Sequence, residues 1–446
     1  MVQAQYYPVT VDLLIEGGTV LTLEPGAAPI PDGAVAIANG RIVGVGTRAE
    51  VAVQARQVLD ADGGLILPGF VNTHTHLAMV LLRGLADDLP LKVWLEQHIW
   101  PAEKAVMDAE TVRLGTLWAA VESLKVGVTC VCDMYFHAPT IARSLEEAGL
   151  RGIVPESVID FPTPSCPSPE VAFARQRELC ETYRHHPLIT PAVAAHAPYS
   201  VNAKNLVKAA ELAEEFDVPL LIHVAETRWE VETFRKEKGM TPVQYLNELG
   251  VLSSRTVAAH CVHVTPEDID TLAEMGVGVA LNPVSNLKLG SGIAPVPEML
   301  ARGVKMGFGT DGAASNNTLD LLRDAQLAAL LYKGLTGDPT CLPAGQMADM
   351  LTRGGAEVLG LTSEIGTLRE GKQADVICLD CGEPHMVPMY EPESHLAYAA
   401  RGSDVRHVVV AGKVVMQNRR LLTLDEESLR SQVEEQATRI RQALNK

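Results

Sequence analysis

The chain is 446 residues long, 47% hydrophobic and 21% charged, with 36 Gly and 27 Pro, a composition ordinary for a globular enzyme. Its formal net charge of −18 argues against a nucleic-acid backbone or an anionic membrane surface as a partner. Eight cysteines over such a length do not make a disulfide framework, and no stretch approaches the ~20 apolar residues of a membrane span, so a cytoplasmic, reduced protein is expected.

The opening residues, Met1 to Pro8, lack the basic and apolar regions of a signal peptide. Residues 11–60 read as short strands, and Asn39-Gly40 between two apolar runs is a strong hairpin signal. A similar pattern returns at 375–379, 405–410 and 414–416. Neither block can bury a sheet face alone. The economical reading is one small β-sandwich built from both chain ends, residues 1–66 and 367–446, with a surface helix over 425–444.

Between these blocks, residues 67–366, apolar strand-like runs alternate with stretches of helical period. The first run, 65–71, leads into His74-Thr75-His76. Further strands are expected at 129–134, 152–159, 189–196, 219–223, 256–260, 278–281 and 305–309. Helices are expected near 91–99, 103–126, 138–148, 169–184, 202–216, 229–249, 266–275, 295–302 and 318–332. Eight β/α units in sequence imply an α/β fold with a closed (β/α)₈ barrel of the TIM type. Cys130 and Cys132 fall in one such run and read as small buried hydrophobes, while Cys378-x-x-Cys381 has no partner pair for a zinc knuckle.

In barrels of this kind the working residues sit at the C-terminal ends of the strands. His74 and His76, two apart on an extended backbone, point the same way at the end of the first strand. His196 ends the fourth, His223 the fifth and His260 the sixth, and Asp311 follows the eighth. Of 13 histidines, five fall at these places, which packing alone does not explain. Three histidines and an aspartate suit a divalent, zinc-like ion with room for a water. Such an ion would lower the pKa of that water towards ~7. Glu226, three residues after His223, is the candidate proton donor; His260 is placed to orient or deprotonate the water, with Asp311 sharing the proton.

Several motifs resemble the amidohydrolase superfamily: Pro-Gly-Phe-Val-Asn-Thr-His74-Thr-His76, His223-x-x-Glu226, His260, and Gly-Thr-Asp311-Gly-Ala-Ala-Ser-Asn-Asn. Arg83-Gly-Leu-Ala-Asp-Asp-Leu-Pro-Leu, Trp100-Pro-Ala-Glu103 and Ser285-Asn-Leu-Lys-Leu-Gly-Ser-Gly292 resemble the branch holding 5-methylthioadenosine/S-adenosylhomocysteine deaminases and triazine chlorohydrolases. The resemblance implies one zinc per subunit on His74, His76, His223 and Asp311, with iron or manganese as alternatives. It implies a hydrolase acting on a C–N bond of a cyclic amidine: Glu226 protonates an adenine ring nitrogen, His260 and Asp311 manage the water's proton, and ammonia leaves. It places Glu103 on the ribose hydroxyls and His196 against the nucleoside. A homo-oligomer is expected by the same analogy.

One departure stands out. Some members carry an arginine at the end of strand three, suited to the carboxylate of S-adenosylhomocysteine. Here Glu156 stands in that region, and Arg151 opens the strand at the other end of the barrel. A glutamate facing the substrate would favour 5-methylthioadenosine or adenosine. The alternative enzyme is a deaminase or dechlorinase of another heterocycle, such as guanine or an s-triazine. A metal-free scaffold is the alternative outside enzymes, and the complete ligand set argues against it.

Overall fold

The structure is a computed structural model that describes residues 10–444; the opening residues read for signal features lie outside them. The two chain ends meet in one nine-stranded sheet. Its join is the antiparallel pairing of Leu65–Pro68 with Val376–Leu379, which brings residues some 310 positions apart into register, Ile66 opposite Cys378. The expected hairpin forms between Ile30–Ala38 and Arg41–Thr47. Asn39 and Gly40 both take positive φ, 51° and 76°, as a two-residue type I′ turn requires. Alternation along the strands sends Leu13, Ile15, Val35 and Ile37 to one cluster and Leu14, Ala34 and Ala36 to another.

The central region is α/β, with parallel strands in two sheets of four and six. The first holds Phe70–Thr75, Val128–Asp133, Arg151–Val154 and Ile189–Pro191. The second holds Ser157–Val158, Val193–Ala195, Leu220–Val224, Thr256–His260, Gly278–Leu281 and Lys305–Phe308. Two of the expected strands therefore serve both sheets, each interrupted once, at Pro155-Glu156 and at Ala192. The first and last strands are tied by Thr73 Oγ1 donating to the Phe308 carbonyl at 2.9 Å and by the Asp311 amide donating to the His74 carbonyl at 3.0 Å. Val71, Cys130, Cys132, Ile153, Ala192, Ala194, Leu221, Val257 and Ala280, one or two from each of seven strand positions, pack into a single cluster. Cys130 and Cys132 are free and buried, as expected of small hydrophobes.

Three local readings are corrected. The 65–71 run is not one strand: Leu65–Pro68 belongs to the terminal sheet, and Phe70–Thr75 pairs with Val128–Asp133. Gly69 is the change-over, where a Cβ would lie 2.0 Å from Thr129 Oγ1. The 229–249 helix is broken into Arg228–Lys238 and Pro242–Glu248. Gly239 caps the first in the left-handed region, and Thr241 with Gln244 forms a capping box on the second. Residues 91–106 form one continuous helical run with a π turn at Leu95–Ile99, and the next helix begins only at Ala109. The last helix, Glu426–Ala443, matches its expected span. Among the described residues no helix is long and apolar enough to cross a membrane.

Candidate active site

The strand ends converge. His74, His76, His223 and His260 form a ring cluster, with centroids 4.9 Å apart for His74–His76, 4.8 Å for His74–His223 and 5.4 Å for His223–His260. Asp311 Oδ1 lies 3.5 Å from His74 Nε2 and 3.2 Å from His76 Nε2. Local backbone strain accompanies this convergence: Ala225, His260 and Asp311 have φ of 50°, 74° and 61°, in the left-handed region. Gly309 allows the close approach, since a Cβ there would meet Asn282 Oδ1 at 2.4 Å and the His74 carbonyl at 2.9 Å. Asn72 locks the same turn by accepting from the Thr310 amide at 3.1 Å and donating to its hydroxyl at 2.8 Å.

These groups fit a divalent metal. His76 Nδ1 is 2.6 Å from the Met134 carbonyl and His223 Nδ1 is 2.6 Å from the His196 carbonyl. A carbonyl can only accept, so each Nδ1 carries the hydrogen and each Nε2 presents a lone pair to the cluster. His74 Nε2 is buried with no hydrogen-bond partner among the described residues, an orphan that a metal would satisfy. Among the described residues two triads have ligand atoms within 4.8 Å of one another, His74–His223–His260 and His74–His76–Asp311, and neither contains cysteine. Burial lowers His74 to about 4 and His223 well below the usual range, leaving both neutral. Burial also opposes charge on His76, but Asp311 outweighs it and raises that group. Burial works against the Asp311 carboxylate too, yet the imidazoles of His74 and His76 beside it hold it well below the ordinary value.

The proton-handling candidates meet on the same side. Glu226 Oε2 lies 3.7 Å from His260 Nε2, and both residues are buried. Burial raises Glu226 above an ordinary glutamate, which favours the protonated form an acid needs. Three partners come from the 285–292 motif, whose residues the sequence reading quoted without roles. Ser285 Oγ donates to Asp311 Oδ2 at 2.6 Å, Asn286 Oδ1 sits 2.8 Å from His260 Nδ1, and Ser291 Oγ donates to Glu226 Oε1 at 3.2 Å. Glu230, also missed, accepts the Ala225 and Glu226 amides at 3.0 and 2.9 Å and so clamps the strained turn carrying Glu226. Its position four residues beyond Glu226, on the first turn of a capped helix, was the available signal.

His76, Glu103, Tyr135, His196, His223, Glu226, His260 and Asp311 line one inner cavity. It shares Leu91, Leu95, Trp100 and Tyr199 with an outer cleft of about 1060 Å³. The π turn sets which residues face it. Leu91 and Leu95 are four apart, Trp100 follows after five and Glu103 after three, so the extra residue carries one face of the helix onto the cavity wall. Glu103 therefore lies late in a continuous helical run, and attraction to a helix N-terminus does not account for it. His196 holds two tasks: its carbonyl accepts from His223, and its Nδ1 pairs with Ser200 Oγ at 2.7 Å.

Glu156 requires a correction. It is buried away from the cavity lining, where its carboxylate accepts the Ala138 amide at 2.9 Å, the His137 amide at 3.3 Å and the Ser165 hydroxyl. A carboxylate at the N-terminus of the Ala138–Ala148 helix is stabilised by those amides and by the helix dipole. It sets no bare charge before a substrate, and the preference drawn from it loses its basis. Arg151 lies where expected, away from the site, in a buried bidentate pair with Asp375.

The model of the amidohydrolase family matches residues 65–415. A 5-methylthioadenosine/S-adenosylhomocysteine deaminase of Syntrophobacter fumaroxidans is 46% identical over 424 residues, covering 95% of this chain and 97% of that one. Among solved structures, an adenosine deaminase from Xanthomonas campestris with bound zinc superposes with a TM-score of 0.96 at 40% identity, covering 98% and 100% of the two chains. An atrazine chlorohydrolase from Arthrobacter aurescens TC1 complexed with zinc gives 0.87 at 26% identity, over 95% and 100%. With motif, strand order and length in agreement, the chain belongs to the amidohydrolase family, on the branch of the 5-methylthioadenosine/S-adenosylhomocysteine deaminases.

Proposed function

We propose that the protein is a zinc-dependent hydrolase that deaminates adenine nucleosides, such as 5-methylthioadenosine, S-adenosylhomocysteine and adenosine, to the inosine analogue and ammonia. The observation that carries this is one cavity lined by His76, His223, His260, Asp311 and Glu226 and also by a second buried carboxylate, Glu103. His74, His76, His223 and Asp311 would hold one ion per subunit. When bound, a divalent ion supplies Lewis acidity and brings the pKa of water towards ~7.

The chain's own residues do the rest. Glu226, its backbone clamped by Glu230 and its Oε1 held by Ser291, donates a proton to the ring nitrogen beside the amino-bearing carbon. His260, oriented by Asn286, accepts the proton of the attacking water, and Asp311 shares it. An aromatic amine departs only once the ring has accepted charge, so an acid aimed at that nitrogen lowers the barrier. Glu103 accepts the ribose hydroxyls, and His196 packs against the nucleoside. Burial with few partners leaves Glu103 at about 7, a cost that donors from a diol would offset.

The same reading takes the two parallel sheets as one (β/α)₈ barrel over 67–366, flanked by a β-sandwich from 1–66 and 367–446. The ties between the first and last strands and the shared interior cluster support it. A second enzyme reading, hydrolysis of an s-triazine, is favoured by the chlorohydrolase similarity. A triazine has no diol, so Glu103 separates the two. The test is ammonia release by the zinc-loaded protein from 5-methylthioadenosine, S-adenosylhomocysteine, adenosine and guanine, with chloride release from a chloro-s-triazine. Nucleoside turnover is expected; activity on guanine or the triazine alone would overturn the substrate class.

A further inference from the structure

Tyr135 has no role in the chemistry above, yet it makes the one side-chain hydrogen bond to Glu103. Its hydroxyl donates to Oε1 at 2.7 Å, and Oε2 has no partner among the described residues. Both residues are buried, with exposures of 2% for Tyr135 and 3% for Glu103, and both line the inner cavity. They come from distant elements: Tyr135 follows the Val128–Asp133 strand, and Glu103 rides the helix beyond the π turn. The three residues after that strand's core form a single ruler. Asp133 Oδ1 accepts the Leu77 amide at 2.7 Å, the Met134 carbonyl accepts from His76, and Tyr135 holds Glu103.

We propose that Tyr135 positions Glu103 for the ribose 2′,3′-diol and makes the enzyme select ribonucleosides over deoxynucleosides. A carboxylate has about four acceptor sites. Tyr135 takes one on Oε1, fixes the rotation of the group, and leaves Oε2 and the free side of Oε1 for two vicinal hydroxyls. The same strand turn orients His76, so the distance between the reacting end and the sugar end of the cavity is set by one short segment. A phenol in this place is neutral and can only donate to a carboxylate, so it favours the ionised, acceptor-only form of Glu103 while occupying one acceptor site, where a lysine or arginine would bring a charge and further donors.

This inference rests on the nucleoside reading. The experiment compares wild type and Tyr135→Phe, both zinc-loaded, on adenosine and 2′,3′-dideoxyadenosine. Wild type is expected to prefer adenosine, and Tyr135→Phe to lower that preference by about tenfold, the scale of one hydrogen bond to a charged group, with the change in KM rather than kcat. Glu103→Gln should erode the same ratio, and adding Tyr135→Phe to it should erode the ratio no further; if the phenylalanine variant does not fold, Tyr135→Leu is read in its place. A loss equal on both substrates, or a wild type indifferent to the diol, would overturn the role of Tyr135 while leaving the deaminase standing. No ammonia from any nucleoside would overturn the nucleoside reading and this inference with it.

Discussion

Glu226→Gln is the substitution that bears most directly on the chemistry. The side chain keeps its size, the Glu230 clamp acts on the backbone of residues 225 and 226, and Ser291 can still donate to the amide oxygen, so placement is preserved. What disappears is the transferable proton. General acid catalysis contributes about 10²–10⁴ in rate, or about 3–5 kcal/mol. The upper half of that range applies here because the neighbouring groups cannot replace a carboxyl: Ser291 is a far weaker acid, and His260 is engaged with the water's proton. Glu226 is 4% exposed, so bulk water is excluded, and the Glu230 carboxylate is turned towards two backbone amides. The loss in kcat should therefore exceed about 10³ with adenosine, with KM changed only a few-fold and full metal content. With 6-chloropurine riboside, whose electron-withdrawing chloride already activates the carbon towards attack and so needs less help from ring protonation, the loss should be smaller. A loss under about tenfold on adenosine, in protein with its full metal complement, would refute the assignment of Glu226 as the acid.

Burial raises Glu226, and only its protonated form donates, so wild-type kcat/KM should fall on the alkaline side of its pKa while Glu226→Gln lacks that limb. Glu103, raised to about 7 by burial against the opposing Tyr135 hydrogen bond, is proposed to bind the diol as a carboxylate. Its ionised fraction rises from about 9% at pH 6 to about 91% at pH 8, so KM for adenosine should fall about tenfold over that window and stay flat for 2′,3′-dideoxyadenosine. A flat adenosine KM would count against it. Chelator treatment should abolish turnover and lower Tm, with zinc restoring both, and His223→Ala should fail to retain stoichiometric metal on dialysis. A Tm indifferent to metal would remove the ligand set. Asp375→Ala strands Arg151 in a site where the two side chains are 3% and 8% exposed, and unpairs the Ala411 amide. Denaturant unfolding should report a loss of about 3–5 kcal/mol with KM unchanged; a loss below about 1 kcal/mol would show the pair to be dispensable.

The sequence by itself determined the alternation of strands and helices and the placing of His74, His76, His196, His223, His260 and Asp311 at strand ends. Both are local matters. Period-2 and period-3.6 patterns need only neighbours, and His-x-His on an extended backbone must present both imidazoles one way. The break at Gly239 is also local, written as glycine followed by Thr241-Pro242, although the helical period runs through it. Tertiary structure decided the rest. Whether Glu156 faces substrate or a helix N-terminus depends on where the Ala138–Ala148 helix lands. Whether Glu103 reaches the cavity depends on one extra residue in a π turn, which no periodicity announces. The pairing of Leu65–Pro68 with Val376–Leu379, and of Tyr135 with Glu103, joins groups that share no local pattern. Such partners are selected by the free energy of burying polar groups together once the strands have closed, and that selection exists only in the folded chain.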